Sequence, residues 1–229
     1  MNRHGKLYRS AKDKVVSKVY DLSEAVAFIK DHPAAQFDET MDIAFRLGID
    51  FKKSEQTVRG TVALPHGTGK TVRVLVFATG ATADAARAAG ATEVGHEDLI
   101  AKIQGGFTDF DVAIATTDAM KEVRKLGKFL GPRGLMPNPK TGTVTDNVVS
   151  AVKQFQAGRV EFRMDRHGNV MVLFGKRSFD TTKLVENARA VMDAVLAARP
   201  ASAKGIYIKR CVVSSTMGVG LPVRMSVSD

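Results

Sequence analysis

Apolar residues recur along this chain with two different rhythms, and the changes between them predict its organisation. Leu22, Ala25, Val26 and Ile29 share one face at helical spacing, so a helix opens at Ser23 and stops at Pro33. Met41, Ile43, Phe45 and Leu47 then alternate with less apolar neighbours, the period of a strand with one buried face. Val58–Leu64 repeats that alternation before Pro65-His66-Gly67 breaks the chain.

From about Thr71 the rhythm changes. Val72–Ala78 is almost continuously apolar, which suits a strand buried on both faces. Short helices over Thr82–Ala89 and His96–Gln104 end at Gly90 and at Gly105-Gly106. A second buried strand, Asp111–Ala115, precedes a helix starting near Thr117, and another helix spans Val148–Gln156. Strands alternating with helices at this spacing predict a small sheet with parallel crossovers and helices around it.

After Gly158 the antiparallel pattern returns. Val160–Met164 and Val170–Phe174 flank Asp165–Asn169 as a predicted hairpin. Thr182–Ala198 is a long amphipathic helix closed by Pro200, and a last strand, Ile206–Val213, runs into the polar turn Ser214–Gly218. The two ends resemble each other and the middle does not. The expected organisation is therefore an outer domain built from residues 1–66 and 157–229, with residues 67–156 inserted into it.

Composition narrows the function. Aromatics are 7% with no Trp, so aliphatic side chains must fill the core. The net charge of +10 favours a polyanionic partner, and about +8 of it falls outside residues 67–156, which carry about +2. The outer domain is thus the expected anchor on nucleic acid. Residues 1–20 hold Arg3, Lys6, Arg9, Lys12, Lys14 and Lys18 against one acid, which suits either a solvated arm or an arm that orders on RNA. Cys211 stands alone in an apolar run and reads as a small buried hydrophobe in a reducing compartment. One Cys and five scattered His offer no metal site, and nothing calls for a cofactor. No secretory signal or membrane-length apolar run is present, so a cytoplasmic protein is expected.

The tempting catalytic motifs fail on context. Gly67-Thr68-Gly69-Lys70-Thr71 mimics the end of a phosphate-binding loop, but Leu64 stands where the first Gly belongs and a strand follows instead of a helix. Thr79-Gly80-Ala81-Thr82 offers a single Gly where a dinucleotide fingerprint needs three. The pairs Glu97/Asp98 and Asp109/Asp111 have no companion nucleophile, and Asp111 reads as a charged strand start. His66, His96 and His167 sit in turns or helix starts and form no triad. The chain is therefore expected not to be an enzyme.

Two segments suit RNA. Gln36–Thr40 sets Phe37 among polar residues, and Ser214–Gly218 sets hydroxyls, a thioether and a Gly at a strand end. RNA recognition uses flat apolar surface against bases and sugars, and polar groups against the 2′-OH.

The strings FDET (37–40), LGID (47–50), VRGTVALPHGTGK (58–70), GPRGLMPNPKTGTV (131–144), AGRVEFR (157–163) and STMG (215–218) resemble bacterial large-subunit ribosomal protein one, the L-one family, in order along nearly the whole chain. The resemblance implies an α/β protein: an α+β outer domain with a Rossmann-like three-layer α/β domain inserted into it. It further implies a monomer within the ribosome that binds the large-subunit rRNA stalk, helps move and release deacylated tRNA at the exit site, and represses its own operon mRNA. By position, Phe37, Thr40, Ser214, Thr216, Met217 and Gly218 match the family's rRNA-contact motifs. Phe37 would pack on a ribose or base, Thr216 and Met217 would meet sugars and backbone, and Gly218 would allow close approach. Lys176 and Arg159 are generic phosphate contacts. Lys52, Lys53 and Arg59 are tRNA-proximal candidates from charge alone. Gln36 replaces a Lys found in some relatives, and the tail Val219–Arg224 varies from the family's pattern. Gly131–Gly142 is either a rigid surface loop or a contact with tRNA or the outer domain. A nucleotide-using enzyme and a freestanding RNA chaperone are the alternatives. The broken phosphate loop disfavours the first, and only the resemblance disfavours the second.

Overall fold

The computed structural model describes residues 5–50 and 54–225. In chain order these form α1 (Lys6–Asp13), α2 (Leu22–Asp31), β1 (Thr40–Leu47), β2 (Arg59–Ala63), β3 (Val74–Phe77), α3 (Gly80–Ala88), β4 (Glu93–Gly95) and α4 (Glu97–Gln104). After them come β5 (Val112–Ala115), α5 (Met120–Val123), α6 (Gly127–Leu130), α7 (Val148–Gln156), β6 (Arg159–Arg163), β7 (Asn169–Lys176), α8 (Thr181–Ala197), β8 (Ile208–Ser215) and β9 (Leu221–Pro222). The fold is α/β. The chain packs as two compact units, Met1–Gly69 with Val160–Asp229, and Lys70–Arg159.

In the first unit the strands run in the order β7-β1-β8-β9. Strand β1 is antiparallel to both neighbours, with Ile43 opposite Val172 on one side and Val213 on the other. Its alternation works as predicted: Met41, Ile43, Phe45 and Leu47 are buried, while Asp42, Ala44 and Arg46 face away from the core. Helices α2 and α8 cover the buried face, α8 through Leu184, Ala188, Val191 and Val195 at helical spacing. Strands β2 and β6 form a separate ribbon.

Asn187 is the one fully buried polar residue on α8, and its amide is satisfied on every side. Its Nδ2 donates to Phe174 O at 2.8 Å and Gly67 O at 3.1 Å, and its Oδ1 accepts from His66 N at 3.0 Å. The Pro65–Gly67 break is thereby tied to the core.

The hairpin expected around Asp165–Asn169 is only half a hairpin. Asp165 Oδ1 accepts the backbone N–H groups of His167 and Asn169, both at 2.8 Å, and a single bridge joins Met164 to Val170. Beyond that bridge the strands part, β6 to β2 and β7 to β1. A local turn signal fixes the reversal but not the partner of each arm.

The N-terminal stretch also departs from a solvated arm. Residues Lys6–Asp13 are helical with Ala11 buried, and Tyr20 is buried beside the last strand. Tyr20 N donates to Pro222 O, and Arg224 N donates to Tyr20 O, both at 2.9 Å. Arg3 lies outside the described residues.

In the second unit β3 is central in the order β4-β3-β5, parallel to both. Val74 and Val76 pack with α3 and α7, and Leu75 and Phe77 pack with α4 and the α5–α6 segment. This three-layer arrangement explains the uninterrupted apolar run. The helix expected from Thr117 is broken into α5, a 3₁₀ turn at Arg124–Leu126, and α6. No described helix is long and apolar enough to cross a membrane.

Candidate nucleic-acid interface

At one end of the four-stranded sheet, the loop before β1 meets the turn after β8, and a buried acid joins them. Glu39 is fully buried. Its Oε1 accepts from Met217 N at 3.0 Å and Ser215 Oγ at 3.3 Å, and its Oε2 accepts from Ala34 N at 3.2 Å. Thr40 and Thr216 bond reciprocally: Thr40 N donates to Thr216 Oγ1 at 3.0 Å, and Thr216 N donates to Thr40 O at 3.0 Å. Lys176 Nζ donates to Thr40 Oγ1 at 2.9 Å and Asp38 O at 3.3 Å. Asp38 in turn accepts from Ser178 N at 3.0 Å and Ser178 Oγ at 2.8 Å.

The outcome is a fixed scaffold that leaves two apolar side chains in solvent. Phe37 is 54% exposed and Met217 59% exposed. Both project from a support whose hydrogen bonds join distant parts of the chain.

Gly218 has a reason of its own. Its N–H donates to Ser215 O at 3.1 Å, and a Cβ there would stand 2.3 Å from Ser215 Oγ. The glycine is required by the turn before any ligand arrives.

Sequence reasoning missed Glu39 and Ser215. Ser214 faces away from this network, opposite Asp42 on the outer side of the sheet. Burial pushes the Asp42 carboxyl up, with Lys176 opposing. Arg159 closes the second unit, where Nη1 donates to Gln154 Oε1 at 2.5 Å and the guanidinium lies over the Phe155 ring. Arg59 is paired with Glu161 at 2.6 Å across the β2–β6 ribbon, so its charge is already matched. Lys52 and Lys53 lie outside the described residues.

Elsewhere the chemistry is structural. Lys70 Nζ donates to Asp111 Oδ1 at 2.7 Å, and Arg73 N and Nε donate to Asp111 Oδ2. Partial burial pushes the Asp111 carboxyl up, but these hydrogen bonds outweigh it and bring it down to about 2. The lysine of the phosphate-loop mimic is thus spent on a strand start. Burial raises the Cys211 thiol to about 12, which leaves it unreactive. The Gly131–Gly142 stretch is pinned: Thr141 is fully buried with its hydroxyl on Asn138 O, and Asn138 N donates to Thr143 Oγ1 at 2.7 Å. Among the described residues, only His96, Glu97 and Glu122 group as metal ligands would, within 4.8 Å. Glu97 also begins α4, where an acid is expected, and His96 pairs with Glu122 at 3.7 Å.

The ribosomal protein L1p/L10e family matches residues 29–219. The chain belongs to that family. Its relatives include proteins named large ribosomal subunit protein uL1. That of Cutibacterium acnes is 55% identical over 96% of this chain and 96% of its own. That of Mycobacteroides abscessus is 52% identical over 100% and 97%, and that of Thermobifida fusca 53% identical over 96% and 94%. As a member of the L1p/L10e family the chain is a ribosomal protein and not an enzyme.

Proposed function

We propose that the protein, as a constituent of the large ribosomal subunit in the cytoplasm, binds the mobile stalk of the large-subunit rRNA. It does so as a single copy, through the surface around Phe37, Thr40, Thr216, Met217 and Gly218. The unit made from both chain ends acts as the RNA anchor, and the unit Lys70–Arg159 is an inserted domain. On the ribosome the protein assists movement and release of deacylated tRNA from the exit site. Off it, the same surface takes a stalk-like fold in its own operon mRNA and represses translation.

One observation carries this reading: Glu39 and Thr216 tie together a loop and a turn from which Phe37 and Met217 project into solvent. The family relationship supplies the ribosome, and the basic excess supplies attraction to phosphates.

The test is binding of a stalk rRNA fragment to the full chain. Phe37→Ala and Met217→Ala remove exposed groups that the fold does not need. Stacking on one base is worth roughly 1–3 kcal/mol, so Phe37→Ala should weaken binding by about 5- to 150-fold. Equal affinity in both variants and the wild type would sink the site. An operon-leader RNA should compete for the same surface and respond to the same substitutions.

A further inference from the structure

Helices α2 and α8 cover one face of the four-stranded sheet, and on the other face Arg46, Met171, Lys209 and Arg210 are exposed. The end of that second face away from Thr40 holds a depression of about 700 Å³ lined by Arg46, Asn169, Met171, Lys209, Arg210 and Val212, among others. Arg46 on β1 stands directly opposite Arg210 on β8. The register slips between Arg46 and Leu47, whose partner is Ile208, so Lys209 is an extra residue in β8. That bulge lets Lys209 and Arg210 line the same depression, where strict alternation would send them to opposite faces.

Three cations therefore crowd one spot. Like charges directly opposite each other in a sheet are destabilising. Among the described residues no carboxylate forms an ion pair with any of the three. Arg46 instead donates to Asn169 Oδ1 at 3.1 Å. Asp165, at the rim, spends its oxygens on the backbone and side chain of its own loop. Beside the cations Met171 is 72% exposed.

We propose that this face is a second RNA contact, in which Arg46, Lys209 and Arg210 take consecutive phosphates and Met171 packs on sugar or base. The proposal rests on the functional reading above and extends its footprint. From Thr40 to Arg46 the strand runs about 20 Å, so one RNA strand crossing the sheet would touch a neutral end and a cationic end. Uncompensated charge selects RNA over a protein partner here, because phosphates supply the matching anions at regular spacing.

The experiment measures affinity of the full chain for the stalk rRNA fragment across a series of salt concentrations. Each lost phosphate contact lowers the log–log slope by about 0.7–0.9, so Arg46→Gln with Arg210→Gln should lower it by about 1.4–1.8. The matching double Lys variant should keep the wild-type slope. Met217→Ala should weaken binding at an unchanged slope. Thermal stability of the Gln variant should equal or exceed the wild type, since a repulsion is removed. Wild-type binding with an unchanged slope in the Gln variant overturns this proposal alone. Failure of the wild type to bind the fragment overturns the functional reading, and this extension with it.

Discussion

Glu39 Oε1 accepts the backbone N–H of Met217 at 3.0 Å across 178 positions of sequence, and this bond sets the exposed turn in place. The acid is fully sealed from solvent. It shapes the proposed contact surface from beneath, while the surface itself shows Phe37 and Met217. An outwardly neutral patch thus stands on a buried carboxylate, with Lys176 bracing its side through Thr40.

Glu39→Ala should therefore cost stability and RNA affinity together. It strips acceptors from Met217 N, Ser215 Oγ and Ala34 N. Leaving such groups unpaired costs roughly 1–3 kcal/mol for each one that stays buried. Denaturant titration should show a lower midpoint, and RNA binding should fall even under conditions where the variant is fully folded. Wild-type affinity in the folded variant would show that the turn does not need the bond.

Gly218→Ala separates two roles for that glycine. Its Cβ would meet Ser215 Oγ at 2.3 Å, so the single variant should be destabilised. Adding Ser215→Ala removes the obstructing oxygen, and the double variant should recover part of the loss, a non-additive result readable in a double-mutant cycle. RNA affinity gives the second readout. Recovery of stability without recovery of binding means that RNA also needs the bare backbone, whereas recovery of both makes the glycine purely structural.

These residues also show where sequence legibility stops. β1 and β3 were plain because one-face and two-face burial leave different local patterns, Met41–Leu47 alternating and Val74–Phe77 continuous. Helix α8 was plain for the same reason. Glu39 was not, because a buried carboxylate carries no local mark and its partner Met217 is at the far end of the chain. Strand β4 was missed because Glu93-Val94-Gly95 is short and mixed, and only pairing with β3 makes it a strand. Docking of Tyr20 against β9 was missed because the charge of residues 1–20 hid the apolar anchors Tyr8, Ala11, Val15 and Tyr20. The motif strings exposed Phe37 and Met217 as candidates; the scaffold that presents them is tertiary.

Asn187→Ala should be among the most damaging changes in the first unit. Three hydrogen bonds end on one buried amide, and the carbonyls of Phe174 and Gly67 and the N–H of His66 would lose their partner at once. A loss of roughly 2–4 kcal/mol is expected. Amide exchange should quicken first at His66 and Gly67, the segment that Asn187 ties down. Unchanged protection there would mean that the break is held by other contacts.

Asp111→Asn carries a pH signature. The Asp111 carboxyl lies at about 2, below its ordinary value of 3.8, because Lys70 and Arg73 bind the charged form more strongly than burial opposes it. A depressed carboxyl stabilises the fold above its unfolded value and loses that contribution as pH falls through the folded one. Asp111 is partly buried, but its partners Lys70 and Arg73 are exposed, so solvent screens the pair and limits the effect to under about 1 kcal/mol. The variant should therefore be less stable than the wild type near neutral pH, with the gap narrowing from about pH 4 downward and closing near pH 2. Thermal melts across that range check it. A gap independent of pH would trace the loss to hydrogen-bond geometry at the start of β5, since charge is the only part of the interaction that titrates.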